Sequence, residues 1–290
     1  MGAAIHAEIN GYVGGDVYVS NWQMGFASGK VVNVFGSQFT SNKASPNLYM
    51  AGLSFSLLYN KTWALSYQGE AGGTKTDISL SRTSTASGFE ELKSTPNIFR
   101  TDHNLAISRV LGASGFSVFL GGKVQYFGYE HSNGQYTNIN SGNTFSGTFS
   151  SKTTILNYGP AAGLAYMFPF VQKSFISVQA GIVYFLGNYT QNVNLLVPAR
   201  PAPGNNPILE QTEKFTGFGY TALISFIKPL SQRLLFQLSL RGQYYTTKTK
   251  SLDVTSNVPL PTTATASEGA MNDVSDLLIG GQLAVIYRMF

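Results

Sequence analysis

The feature that most restricts the fold of this chain is a two-residue alternation of apolar and polar side chains, repeated along nearly its whole length. Ile5, Ala7, Ile9, Gly11, Val13, Gly15, Val17 and Val19 alternate with His6, Glu8, Asn10, Tyr12, Gly14, Asp16, Tyr18 and Ser20. Successive side chains of an extended strand point to opposite faces, so one set makes an apolar face and the other a polar one. A helix would scatter both sets around its circumference. The pattern returns in nine further segments, beginning near residues 49, 63, 98, 116, 156, 176, 218, 234 and 274. In them Leu53, Phe55, Leu65, Leu120, Val124, Leu164, Ile182, Ile224 and Leu240 fall on the apolar rows.

The connections alternate in length. Short turns fall at Asn60-Lys61, 111–115, 169–173 and 229–232, and long polar stretches near 21–46, 81–96, 131–152, 189–212 and 250–272. An even number of amphipathic strands joined by short and long connections in turn is the pattern of a closed transmembrane barrel. Composition agrees: only 11% of residues are charged, against roughly 25% in soluble proteins. A water-facing exterior of this size needs more charge than the chain carries. No run reaches the roughly 18 apolar residues of a membrane helix. The first eight residues show no basic region and no apolar core of a signal peptide.

The expectation is therefore all-β: a single domain over residues 1–290, a closed antiparallel up-and-down barrel of ten strands in a bacterial outer membrane. Both termini and the short turns would be periplasmic, and the long loops extracellular. Tyr59, Trp63, Phe168, Phe175, Phe226, Phe236 and Tyr287 cluster beside the short turns. They are expected to form the periplasmic aromatic girdle, where amphipathic rings meet the headgroups. Lys61, Arg109, Lys173, Lys228, Arg233 and Arg288 form a basic rim at the same end, suited to anionic headgroups.

On the polar, inward rows the charges are few. Glu70, Arg100, Asp102, Lys123 and Arg241 fall at similar depth when residues are counted from the nearest short turn. The first four come from three successive strands and are expected to form one lumen network, paired across the wall. Arg241 would reach in from elsewhere. Gln68, Gln125 and Gln237 stand nearby, while Gly159, Ala161, Gly163, Gly217 and Gly219 leave room on the opposite wall. Two readings follow: a salt-bridged plug, or a constriction selecting small solutes by charge. A third leaves the work to the long loops, as an adhesin or a subunit docking another protein.

Ten strands, long loops and this length resemble the omptin family of outer-membrane proteases. The resemblance covers architecture and would imply paired aspartates facing an Asp-His pair at the outer rim. The chain has no Asp-x-Asp, and its histidines are His6, His103 and His131. Only Glu130-His131 reaches the rim, and adjacent strand residues point opposite ways. No enzyme is expected, although a lipase-type site would need a serine against His131. Motifs for cofactors or metals are absent, cysteine is lacking, and the dispersed basic residues do not suit nucleic acid. The ending Tyr287-Arg288-Met289-Phe290 is similar to the terminal assembly signal of outer-membrane barrels, with Phe290 as its last aromatic. Arg288 stands where that pattern prefers an aromatic. The resemblance implies outer-membrane lipids and the barrel assembly machinery as partners.

Overall fold

The computed structural model describes residues 8–25, 40–41, 45–84, 88–112, 115–140, 143–196, 208–256 and 269–290. Ten strands form the wall: β1 (Ile9–Gln23), β3 (Asn47–Tyr59), β4 (Trp63–Lys75), β7 (Asn97–Val110), β8 (Phe116–Asn140), β9 (Asn143–Pro169), β10 (Phe175–Leu196), β11 (Ile208–Pro229), β12 (Leu234–Ser256) and β13 (Val274–Arg288). Three shorter strands, β2 (Thr40–Ser41), β5 (Ile78–Ser84) and β6 (Gly88–Ser94), lie outside the wall. Each wall strand pairs antiparallel with its neighbours in sequence, and β1 pairs with β13, so the ten ladders make a ring. Closure leaves no row of unpaired backbone groups in hydrocarbon, where each would cost several kcal/mol.

Short turns follow from local chemistry. Asn60 and Lys61 both adopt positive φ, 50° and 56°, and Thr62 N–H donates to the Tyr59 carbonyl at 3.1 Å. Two left-handed residues thus close a three-residue connection, since Tyr59 pairs with Trp63, in the sense that matches strand twist. At the seam, Met289 N–H donates to the Gly11 carbonyl at 2.8 Å and Gly11 N–H to the Phe290 carbonyl at 3.2 Å. The terminal residue thus extends the β13–β1 ladder.

Alternation decides which face meets what. Val13, Val17, Leu53, Leu105, Leu120, Ile182, Ile224 and Leu240 are all exposed on the outside, while Asp16, Glu70, Asp102, Gln125 and Gln243 are buried inside. A continuous apolar exterior around a polar interior suits lipid and no other solvent.

The register fixes heights. One hydrogen-bonded row runs Gln237, Ala284, Asp16, Gly52, Glu70, Asp102, Gln125, Asn157, Gly187, Phe215 and returns to β12 at Thr249. The row therefore climbs twelve residues of β12 in one circuit (237 to 249), because the strands tilt. Halfway round stands Asp102, on β7, directly opposite β12. Its height on β12 is that of Gln243, and Glu70 lies level with Arg241.

Strand lengths depart from expectation. The stretches 81–96, 131–152, 189–212 and 250–272 were expected as loops, yet β8 and β9 run 25 and 27 residues. β10 continues to Leu196, β12 to Ser256, and β5 and β6 form a hairpin attached to the upper part of β8. A tilted membrane strand needs about 9–11 residues, so the wall projects well beyond the bilayer on the long-connection side. Its outer rows there carry mostly Ser, Thr, Asn, Glu and Lys, with Ile139, Leu196 and Ile208 as the apolar exceptions near the strand ends, consistent with water outside.

Candidate functional site

The lumen is divided along its axis. On the short-turn side lies a cavity of about 490 Å³ lined by Tyr12, Asp16, Ser54, Gln68, Lys123 and Gln282 among others. It reaches Ser117, Leu235 and Ile286, all within three residues of a strand end on that side.

Above it a belt of charge crosses the barrel. Arg241 Nη1 donates to Glu70 Oε2 at 2.7 Å and Oε1 at 2.9 Å. Arg100 grips Asp102 through Nε and Nη2, both at 3.0 Å, and Arg241 Nη2 stands 3.5 Å from Asp102. Lys123 Nζ donates to Gln243 Oε1 at 3.2 Å, and Gln125 Nε2 to Asp102 Oδ1 at 3.1 Å. Gln68 and Gln282 each donate an amide N–H to Glu70 Oε1, at 2.7 and 3.1 Å. All five sequence-predicted lumen charges are buried, Arg100 and Asp102 completely. Buried charges persist when each is paired and hydrogen-bonded, and the fork of Arg100 on Asp102 is the strongest such geometry.

The partners differ from those expected. Pairing across adjacent strands would have matched Lys123 with Asp102, but Lys123 joins the belt through Gln243. The acids Glu70 and Asp102 are themselves cross-strand neighbours, and the cation between them, Arg241, comes from the far wall. Sequence reading missed Gln243, Gln282, Asp276 and Trp22. Asp276 lies 3.8 Å from Arg100 Nη1 and accepts the Trp22 indole N–H at 2.7 Å. Arg100 stands over the neighbouring Trp22 and Phe127 rings, 4.9 and 4.6 Å from their centroids, which are themselves 5.4 Å apart. Counting from the nearest turn cannot find these contacts, because they depend on the twelve-residue climb. The expected Gln237 contributes elsewhere, donating to Ser225 and Ser239.

Room on the opposite wall is partly taken up, while Ala161 still lines the cavity. The Phe119 ring covers Gly163 and Gly181, and Tyr245 covers Gly219. Beyond the belt, on the long-connection side, an apolar cluster fills the lumen: Tyr18, Trp22, Met24, Met50, Phe127, Tyr129, Ile155, Phe215 and Met271 are all buried. Its cap is a turn before β13. Glu213 accepts the backbone N–H of Ala270 at 2.6 Å and of Met271 at 3.2 Å, and the Thr249 hydroxyl at 2.9 Å. A Cβ at Gly269 would stand 2.6 Å from both Glu213 Oε2 and Thr249 Oγ1, so a side chain there would push these two groups away from the turn.

At the short-turn rim, Tyr59, Trp63, Phe168, Phe226, Phe236 and Tyr287 take outward register positions. Phe175 does not. It shares its row with Pro169 and Ile227 and the parity of buried Val183 and Phe185, so it faces the lumen mouth. The strand begins one residue before its outward row, which opens with Ile176. Lys61, Arg109, Lys173, Lys228, Arg233 and Arg288 are exposed there. Lys61 pairs with Glu8 at 3.0 Å, and this cation holds the Glu8 carboxyl below the ordinary glutamate range. Arg233 donates to the Tyr287 hydroxyl at 3.2 Å. Phe290 is exposed, with its ring edge over Gly11.

The histidines do not assemble an omptin-type site. His6 lies outside the described residues. His103 faces outward and is hydrogen-bonded to Tyr67 Oη at 2.9 Å. His131 is buried, with Nδ1 against the Ser94 hydroxyl, and no carboxylate is hydrogen-bonded to it among the described residues. No group of three or more metal-ligating His, Asp or Glu side chains occurs among the described residues.

No family model matches the chain, and no curated protein is significantly similar to it. Among solved structures it is similar to the outer membrane protease OmpT from Escherichia coli, with a TM-score of 0.54 at 8% identity over 98% of this chain and 96% of that one. The translocator domain of the autotransporter NalP from Neisseria meningitidis matches at TM-score 0.35 and 12% identity, covering 98% and 90% of the two chains. The CymD monoaromatic hydrocarbon channel matches at TM-score 0.33 and 9% identity, covering 96% and 88%. At such identities the likeness to OmpT speaks for the fold alone. With a ring of ten strands, an apolar exterior and a polar, charged interior, the chain has the fold of a ten-stranded transmembrane β-barrel of omptin-like architecture.

Proposed function

We propose that this barrel is plugged at rest and works through the part of its wall that projects beyond the outer leaflet, as a docking surface for another protein. The observation that carries this reading is the belt joining Glu70, Arg241, Asp102 and Arg100 across the lumen, with its members buried. Side chains paired from opposite walls tie the lumen across its width, and the buried apolar cluster around Trp22 and Met271 supports a second closure above them. A narrow interior is readily filled by side chains alone. Nothing favours catalysis: among the described residues no acid is hydrogen-bonded to the part-buried Ser94–His131 pair, and the paired aspartates of the omptin resemblance have no counterpart in the sequence.

A gated pore for small solutes is the second reading, favoured by the cavity of about 490 Å³ that already occupies the short-turn half. Liposome swelling separates the two. Vesicles bearing the refolded protein should swell in glycine or arabinose no faster than protein-free vesicles if the barrel is plugged. Size-graded swelling would instead establish a pore. Shortening the β8–β9 hairpin between Gly134 and Ser146 should leave the folded barrel intact.

A further inference from the structure

We propose that the cavity on the short-turn side is a binding site for a small primary ammonium group, with Asp16 as its anionic anchor. Asp16 is only 7% exposed and lines the cavity; the neutral Gln282 side chain is the hydrogen-bonding neighbour of its carboxylate, and its Oδ1 has no partner within hydrogen-bond geometry. A buried carboxylate oxygen left without a donor is costly, and such a group at a cavity wall calls for a ligand. Asp16 also takes no part in the ion pairs that hold Glu70 and Asp102.

Acceptors stand beside it. Gln68 and Gln282 line the same cavity and donate amide N–H groups to Glu70, Gln282 also to the Asp16 carboxylate, which leaves their carbonyl oxygens to accept. The two cations of the lining, Lys123 and Arg241, are turned to Gln243 and to Glu70. Ser54 supplies a hydroxyl. These residues stand on β13, β1, β3 and β4, four consecutive strands, and the register places them at one height. Gly52 lies between Asp16 and Glu70 in the row, and a Cβ there would meet Asp16 Oδ1 and Glu70 Cγ, each at 2.8 Å. The missing side chain keeps the niche open.

Charge selects the sign of the ligand. Around the belt stand four carboxylates (Asp16, Glu70, Asp102, Asp276) and three cations (Arg100, Lys123, Arg241). A further anion would worsen that imbalance, and one cation removes it. A hard metal ion prefers six or more oxygen ligands, more than this niche offers. An ammonium, with three N–H donors, needs about three acceptors. The tail of such a ligand would lie along Phe119, Ala161, Ala165 and Leu223, which also line the cavity.

The site does not depend on the lumen being closed above it, so the two readings fail separately. The test is calorimetric titration of the refolded full chain in detergent with n-propylammonium, propionate, 1-propanol and Mg²⁺. Propylammonium should bind once per barrel, and the other three should not. Asp16→Asn should weaken that binding about tenfold or more, the worth of one charge-assisted hydrogen bond. Ser54→Ala should weaken it several-fold and serves should Asp16→Asn fail to fold. The proposal is overturned if propylammonium shows no saturable binding, if propionate binds as well, or if the folded variants bind like the parent.

Discussion

Arg241 and Glu70 meet by two hydrogen bonds of 2.7 and 2.9 Å although they stand on β12 and β4, on different sides of the ring. Their contact spans the lumen and sets the height of the charge belt. Removing one member of a buried pair leaves the other uncompensated, at a cost of about 3–5 kcal/mol. Glu70→Ala should therefore lower stability to urea by that order, stranding Arg241, Gln68 and Gln282 together. The double change Glu70→Ala with Arg241→Met should cost less than the sum of the single changes. Strict additivity in the cycle would show that the pair is not coupled.

The outside of the wall responds by depth. Leu120 and Ile182 are exposed apolar residues well inside the strand span. Replacing either by Arg should destabilise the barrel in lipid by about 2–4 kcal/mol if it lies near the midplane. The same change at Ser117 or Ser177, on the inward parity, should be far milder. Equal losses on both faces would reverse the inside-out assignment.

Glu213 holds the 269–273 turn over the lumen by accepting two backbone N–H groups. Glu213→Ala should release this cap without unfolding the ring. Limited proteolysis should then cut near Met271, with the heat-shifted gel mobility of a folded barrel retained. A turn that stays protected in the variant would mean that the apolar packing of Met271 holds it without Glu213.

The one ion pair tested most simply by pH is exposed. Lys61 depresses the Glu8 pKa in the folded state. Whatever stability the pair contributes is present above the unfolded glutamate pKa and fades as pH falls through the folded value. By NMR, Glu8 should titrate below 4.5 in the parent and move up in Lys61→Met. An unchanged Glu8 midpoint would mean that the contact is not populated in solution.

The fold was legible because lipid imposes one rule on every residue of a strand: rows such as Val13-Val17-Val19 and Leu53-Phe55-Leu57 must be apolar throughout. That rule stops at the bilayer surface. Beyond it, Thr137, Asn138, Thr144 and Ser146 can stand on a strand with water outside, so the projecting parts of β8 to β12 read as loops. Depth counting brought Glu70, Arg100, Asp102, Lys123 and Arg241 to one level, because charges that enter a lumen are few and distinctive. Their partners were hidden for a geometric reason. Gln243 and Asp276 reach the belt through strand tilt, and tilt is fixed by register around the whole ring, which no single segment encodes. Phe175 misled by one residue, since an aromatic beside a turn reads alike on either face.

The closed lumen is tested most directly by planar-bilayer recording of the refolded, full-length protein. Insertion should produce no steady ohmic current, with conductance appearing only when the belt and the cap above it are both dismantled, as in Glu70→Ala combined with Glu213→Ala. A reproducible, voltage-independent conductance step at each insertion of the unaltered barrel would contradict it.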